Sequence, residues 1–173
     1  MHKNNQHKDN NNYQYNNLQN HQNNCNDEFF MSEALIQAEI AWKTYNEVPI
    51  GAVIVKDNQI IAAGFNSCIT NLDPTAHAEI IAIRKASQIL NNYRLINTTL
   101  YCTIEPCVMC FGTIIQARMK RIVFGASDLK FGVLGSMINL AQYRWNHKFQ
   151  ITNGILEANC KLLIQDFFKQ QRI

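Results

Sequence analysis

The sequence predicts an α/β protein, three layers deep, with a mixed and roughly five-stranded central sheet. Three observations predict it. Short β-rich apolar runs alternate with segments whose apolar residues recur at helical spacing, the order expected of a sheet covered on both faces. Two of these runs, Ile50 to Val55 and Ile60 to Phe65, are separated only by Lys56-Asp57-Asn58-Gln59, a composition that makes an antiparallel hairpin. The length of 173 residues and the 47% hydrophobic content supply one sizeable core.

The elements follow in order. Residues 1–27 hold Asn10-Asn11-Asn12, Asn16-Asn17 and Asn23-Asn24 among Gln, His and Lys with almost no aliphatic side chains, so this tail is expected to be disordered and the folded domain to span 28–173. Phe29 to Tyr45 reads as a helix with Ser32 and Glu33 near its start, and Pro49 closes the connection into the hairpin. Asp73-Pro74-Thr75 is a turn and cap signal before a helix over Ala76 to Leu90. The run Thr99 to Ile104 has strand character, and Pro106 introduces a second capped segment that becomes helical through Cys110 to Met119. Arg121 to Gly125 is the next strand, followed by a helical stretch near Met137 to Gln142, a short strand over Phe149 to Thr152 and a helix over Leu156 to Lys169.

Composition narrows the classes. The tail lacks the apolar core of a secretion signal and the Arg-rich pattern of a transit peptide, and no run is long enough to span a bilayer, so the expected location is cytoplasmic. Cys25, Cys68 and Cys160 are scattered without a disulfide framework, which suits reduced thiols. A net charge of +3 permits a polyanionic partner without demanding one. Arg118, Lys120 and Arg121 read as a solvated basic face.

The chemistry lies in His77-Ala78-Glu79 and, thirty residues on, Pro106-Cys107-Val108-Met109-Cys110. Together they provide three metal ligands and one unattached carboxylate. Structural zinc sites are normally closed by four protein ligands, whereas a hydrolytic site keeps a position for water, whose pKa the metal lowers to about 7. Cys107 and Cys110 sit at a helix start, where the positive end of the dipole favours thiolates. His77 and Glu79 open the other helix. Residues two apart diverge along a helix body, so both can serve one site only if the helix tip faces it. Two helix N-termini are therefore expected to converge on a single zinc ion held by His77, Cys107 and Cys110, with Glu79 as proton shuttle. Cys102, the nearest rival ligand, falls inside a strand and reads as a small core residue. A hydrolytic attack on an amino-bearing aromatic ring, releasing ammonia, matches this set, which is the pattern of zinc nucleobase deaminases.

The resemblance extends well beyond the ligands. Glu47-Val48-Pro49-Ile50-Gly51-Ala52-Val53, Asn66, Asp73-Pro74-Thr75-Ala76-His77-Ala78-Glu79-Ile80, Asn92-Tyr93-Arg94-Leu95, Thr103-Ile104-Glu105-Pro106-Cys107-Val108-Met109-Cys110, Val123-Phe124-Gly125-Ala126, Gly135-Ser136 and Asp166-Phe167-Phe168 resemble the bacterial-type tRNA-specific adenosine deaminases, within the cytidine deaminase-like fold. That resemblance implies conversion of the wobble adenosine of a tRNA anticodon to inosine, one zinc per subunit and a homodimer. It also implies that Asn66 reads the flipped base, that Val48 and Pro49 line the pocket, and that Asp128 and Phe168 meet the RNA. Phe167 and Phe168 beside Lys169 and Arg172 suit stacked bases and phosphates, although Leu162, Leu163 and one of the two phenylalanines are also expected to pack on the sheet. Phe111, Phe131 and Tyr143-Arg144-Trp145 depart from the family pattern.

Two other readings use the same residues. Zinc and glutamate also deaminate free nucleobases, nucleosides or nucleotides of the cytosine or guanine type. A non-catalytic RNA-binding subunit could keep the fold, but such a protein has no need of the shuttle carboxylate, and Glu79 is present.

Overall fold

The computed structural model describes residues 6–172, with side chains from residue 26 onward. Its elements are α1 (Gln6–Tyr45), β1 (Gly51–Lys56), β2 (Gln59–Phe65), α2 (Cys68–Asn71), α3 (Ala78–Ile89), β3 (Thr98–Ile104), α4 (Val108–Gln116), β4 (Arg121–Ala126), β5 (Gln150–Asn153) and α5 (Glu157–Gln170). The sheet has five strands in the order β2-β1-β3-β4-β5. β1 is antiparallel to both β2 and β3, while β3, β4 and β5 run parallel, so the predicted mixed sheet is present.

Strand alternation divides the core into two layers. Ala52 and Ile54, Leu100 and Cys102, and Ile122 and Phe124 face α3 and α4. The intervening Val53 and Val55, Tyr101 and Val123 face α1 and α5, where Phe30, Met31, Ala34 and Cys160 meet them. A period of two on every central strand produces this division. Asp57 and Asn58 both take positive φ in the tight turn of the predicted hairpin. Gly64 lets α3 lie close on β2, since a Cβ there would stand 2.5 Å from the Ala78 carbonyl oxygen. That contact sets the height of the N-terminus of α3.

Several expectations need correction. α1 starts at Gln6, within the Asn-rich segment, and residues 1–5 lie outside the described residues. Asparagine is a poor helix former, but a packed helix supplies the nucleus from which further turns propagate. Asp27, placed in the tail by composition, is buried and accepts hydrogen bonds from Tyr101 Oη and both terminal nitrogens of Arg121. Arg121 is accordingly a half-buried anchor and not part of a solvated basic face. The helical stretch expected over 137–142 is reduced to a 3-10 turn at Leu140–Gln142. Leu162 is exposed, while Phe167 is buried edge-on against Trp42. Cys102 is wholly buried, as expected of a core residue.

Candidate active site

α3 and α4 bring their N-termini together. His77 is the N-cap of α3, and Cys107 is the N-cap of α4 with Cys110 in its first turn. His77 Nδ1 stands 3.7 Å from Cys107 Sγ and 3.5 Å from Cys110 Sγ, and the three donor atoms lie within 4.8 Å of one another. The group could hold a metal ion. Both N-caps leave helix N–H groups without a capping side chain, so positive dipole ends meet where thiolates and anions are favoured.

The titration of the group follows from this crowding. The hydrogen bond from Cys110, followed by that to His77, pulls the Cys107 thiol far below the ordinary range. The same sulfur–sulfur bond, with burial next, pushes Cys110 up. The bond to Cys107 raises His77, against the opposing effect of burial. The two thiols and the imidazole thus compete for protons, and a cation at their centre would release both thiols from that competition.

Glu79, in the first turn of α3, is 2% exposed, and burial is the main cause that raises its pKa. Its Oε2 is buried with no hydrogen-bond partner. An orphan carboxylate oxygen in a folded interior costs free energy, about 1–3 kcal/mol or more for a charged group, and points to a partner supplied from outside the chain.

The other predicted residues gather at the same end of the sheet, to different degrees. Asn66 is buried just after β2; its backbone N–H bonds to Ile50 O, and the next residue, Ser67, donates to Ala76 O beside His77. Asn66 Nδ2 donates to Glu47 Oε2 at 3.1 Å, while Glu47 Oε1 accepts from Thr70 N at 2.7 Å in the short helix α2. A carboxylate only accepts, so Glu47 fixes which end of the Asn66 amide faces it. Pro49 is buried and Val48 half-buried just before β1, and Gly51 N donates to Thr103 Oγ1 three residues before Pro106. Asp128 lies in the loop after β4, where its Oδ1 accepts from the backbone of Lys130 and Phe131. Phe168 is exposed on α5, across the sheet from α3 and α4, but Gln171 at the end of that helix bonds Asn46, two residues from Val48. Sequence reasoning missed the roles of Glu47 and Glu105, both buried acids, and the helix α2. The only signal was an acidic residue directly before a Val-Pro and a Pro-Cys pair.

The departures from pattern also have places. Phe111 is wholly buried and meets Trp145 and Phe149 edge-on, so two of the unusual residues pack on each other below the site instead of lining its rim. Phe131 is exposed on the loop after β4. Among the described residues no helix is long and apolar enough to cross a membrane.

Comparisons with known proteins agree with this geometry. The model of the MafB19-like deaminases matches residues 25–172. The tRNA-specific adenosine deaminase of Haemophilus influenzae is 47% identical over 148 residues, covering 84% of this chain and 85% of its own. A solved structure from studies of A-to-I editing by tRNA:A34 deaminases at the wobble position superposes with a TM-score of 0.74 at 39% identity, covering 78% of this chain and 98% of its own. Guanine deaminase from Bacillus subtilis superposes less closely, with a TM-score of 0.57 at 36% identity over 69% of this chain and 86% of its own. Identity of this extent, carried by a five-stranded mixed sheet of the cytidine deaminase-like type, places the chain in the family of tRNA-specific adenosine deaminases.

Proposed function

We propose that this chain converts the wobble adenosine of a tRNA anticodon to inosine by hydrolytic deamination, using zinc held by His77 Nδ1, Cys107 Sγ and Cys110 Sγ. The observation that carries the proposal is the nearness in the chain and the fold of three donor atoms to Glu79 Oε2, the one buried, unpartnered carboxylate oxygen among the described residues. Tetrahedral zinc with sulfur ligands at about 2.3 Å and nitrogen at about 2.0 Å requires N···S separations of about 3.5 Å. The separations of 3.5 and 3.7 Å suit that ion. When bound, zinc acidifies a water and so supplies a nucleophile at neutral pH.

The protein's own residues do the rest. Glu79 Oε2 takes one proton of the attacking water and gives it to a ring nitrogen of the adenine; it then takes the second proton, from the new hydroxyl on the ring carbon, and passes it to the amine, so that the C–N bond breaks, ammonia leaves and a carbonyl remains. Its burial keeps bulk water from competing for those protons. Asn66, with its amide held by Glu47, reads the purine edge, and Val48 and Pro49 wall the pocket. Asp128 and Phe168 meet the flanking RNA. The reading includes a homodimer, supported by the exposed apolar Ile69, Leu72 and Val108 beside the site segments, and a cytoplasmic location where tRNA is the substrate.

The test is incubation of the zinc-loaded protein with an anticodon stem-loop bearing adenosine at the wobble position, in parallel with free adenosine, cytidine and guanine. Inosine forms in the stem-loop and the monomers remain intact. Activity confined to a monomer, as in the related guanine deaminase, would overturn the RNA assignment.

A further inference from the structure

Glu105 stands directly before Pro106-Cys107 and is 2% exposed, yet neither the metal nor the base needs it. Its carboxylate lies under the loop that follows β4. Oε1 accepts from Leu134 N at 2.7 Å and Ser136 N at 3.2 Å, and Oε2 accepts from Asp128 N at 3.2 Å and from Ser136 Oγ. Gly132 crosses directly over the group, since a Cβ there would stand 2.5 Å from Glu105 Cδ. A further bond, Val133 N to Pro106 O at 3.1 Å, ties the loop to the start of the metal-binding segment. Each of these partners of Glu105 can donate, and three are backbone N–H groups that cannot reverse their role. The loop is therefore folded around an internal carboxylate directly before Pro106.

The rim of that loop is what solvent sees. Leu129 and Phe131 are 81% and 64% exposed, and the Asp128 carboxylate is held in a local turn by Lys130 N and Phe131 N. Resting on the RNA reading above, we infer that Glu105 is a positioning residue, which holds the loop of residues 128–136 so that Asp128 and Phe131 are presented beside the metal centre to the nucleotides flanking the reacting base. The carboxylate acts on affinity for a polynucleotide and leaves the chemical step alone.

Glu105→Gln tests this because it keeps shape and removes one acceptor. The new NH2 settles where Ser136 Oγ can turn to accept it, at the Oε2 position, and there it confronts Asp128 N–H. The Asp128 end of the loop loses its anchor while Leu134 and Ser136 keep theirs. Backbone exchange at Asp128 is expected to quicken by at least about tenfold, the scale of one lost bond to a charged group, with exchange at Leu134 changed much less. KM for the anticodon stem-loop rises about tenfold, kcat stays within about twofold, and zinc content remains one per chain. If Glu105→Gln fails to fold, Gly132→Ala decides, because it lifts the loop off an intact carboxylate and is expected to give the same split between KM and kcat. Unaltered exchange at Asp128, or faster exchange with an unaltered KM, overturns the inference. Should the parent protein leave the stem-loop unmodified, the RNA reading fails, and with it the substrate half of the inference, while the exchange result still decides whether Glu105 holds the loop.

Discussion

Replacing Asp27 with Asn should destabilise the protein by about 3 kcal/mol, the lower end of the 3–5 kcal/mol typical of breaking a buried charge pair. The structure sets that magnitude. Asp27 accepts from Arg121 Nη1 at 2.8 Å, Arg121 Nη2 at 2.6 Å and Tyr101 Oη at 2.7 Å, and its side chain is 4% exposed. An amide of the same size turns one accepting atom into a donor facing a guanidinium. Arg121 is left with the remaining amide oxygen and Thr152 Oγ1 at 2.8 Å but no opposite charge; its side chain is 24% exposed, and water can reach it, which lowers the cost. These bonds join α1 to β3, β4 and β5, so the loss falls on the cooperative unit as a whole.

The assay is urea unfolding of the parent, Asp27→Asn, Arg121→Met and the double variant at one protein concentration, which removes any contribution of subunit association. For a domain of this size about 3 kcal/mol corresponds to a fall in Tm of about 6–12 °C. The double variant should lose less than the sum of the singles, because neither charge is then buried alone. The ion pair lies on the α1 and α5 face of the sheet, opposite the group of His77, Cys107 and Cys110 that could hold a metal, so metal content should be unchanged. A loss for Asp27→Asn below about 1 kcal/mol, or strict additivity, would refute the reasoning and return residue 27 to the tail.

Three further outcomes are expected. Glu79→Gln should keep the fold and its zinc but lose at least ~10²-fold in turnover on the stem-loop, the usual scale for a proton-transfer group, and undiminished turnover would remove the role assigned to that carboxylate. Cys110→Ser should weaken zinc binding by more than about 100-fold, beyond the effect of losing an outer-shell partner, so zinc retained at one per chain after dialysis against a chelator would exclude Cys110 as a ligand. Burial, then the bond to Asp27, raises the Tyr101 phenol above its ordinary value near 10. The unfolded chain therefore releases this proton first. The stability contributed is complete below about pH 10 and is lost as pH rises from there through the folded value. Tyr101→Phe should show a shallower fall of Tm above about pH 10 than the parent, and parallel curves would contradict the shift.

The fold was legible where a local pattern records a local face. The short apolar runs in β1, β3 and β4 marked strands buried on both faces, and Asp57-Asn58 marked the hairpin turn. His77 and Cys107 were placed at helix starts because Pro74 and Pro106 punctuate the chain before them. What stayed hidden depends on partners far apart in sequence. Asp27 and Arg121 are separated by 94 positions, and nothing near either distinguishes a buried ion pair from two solvated charges. Glu105 is satisfied largely by backbone N–H groups, which leave no complementary side chain for a reader to find. α2 is a single turn of four residues, too short for any periodicity to register. Trp145 appeared foreign at its position until it was seen edge-on to Phe111, the other unusual residue.

Three glutamates are buried among the described residues, and the way each carboxylate is satisfied separates structure from chemistry. Glu47 has both oxygens engaged, one by the Asn66 amide and one by Thr70 N, so it orients the Asn66 side chain and a turn. Glu105 has both oxygens engaged by one loop. Each of these acids is fully satisfied by donors within the protein, and a satisfied carboxylate gains nothing from a substrate or solvent molecule. Glu79 has comparable burial, but its Oε2 has no donor, and it sits two residues from the His77 imidazole. A folded chain can tolerate such an oxygen only if something else completes it, and the adjacent triad of sulfur and nitrogen donors identifies where that completion comes from. If Glu79 were merely structural, substituting its carboxylate would alter stability as the other two should and spare turnover. The opposite pattern, with stability kept and turnover lost, is the one its missing partner requires.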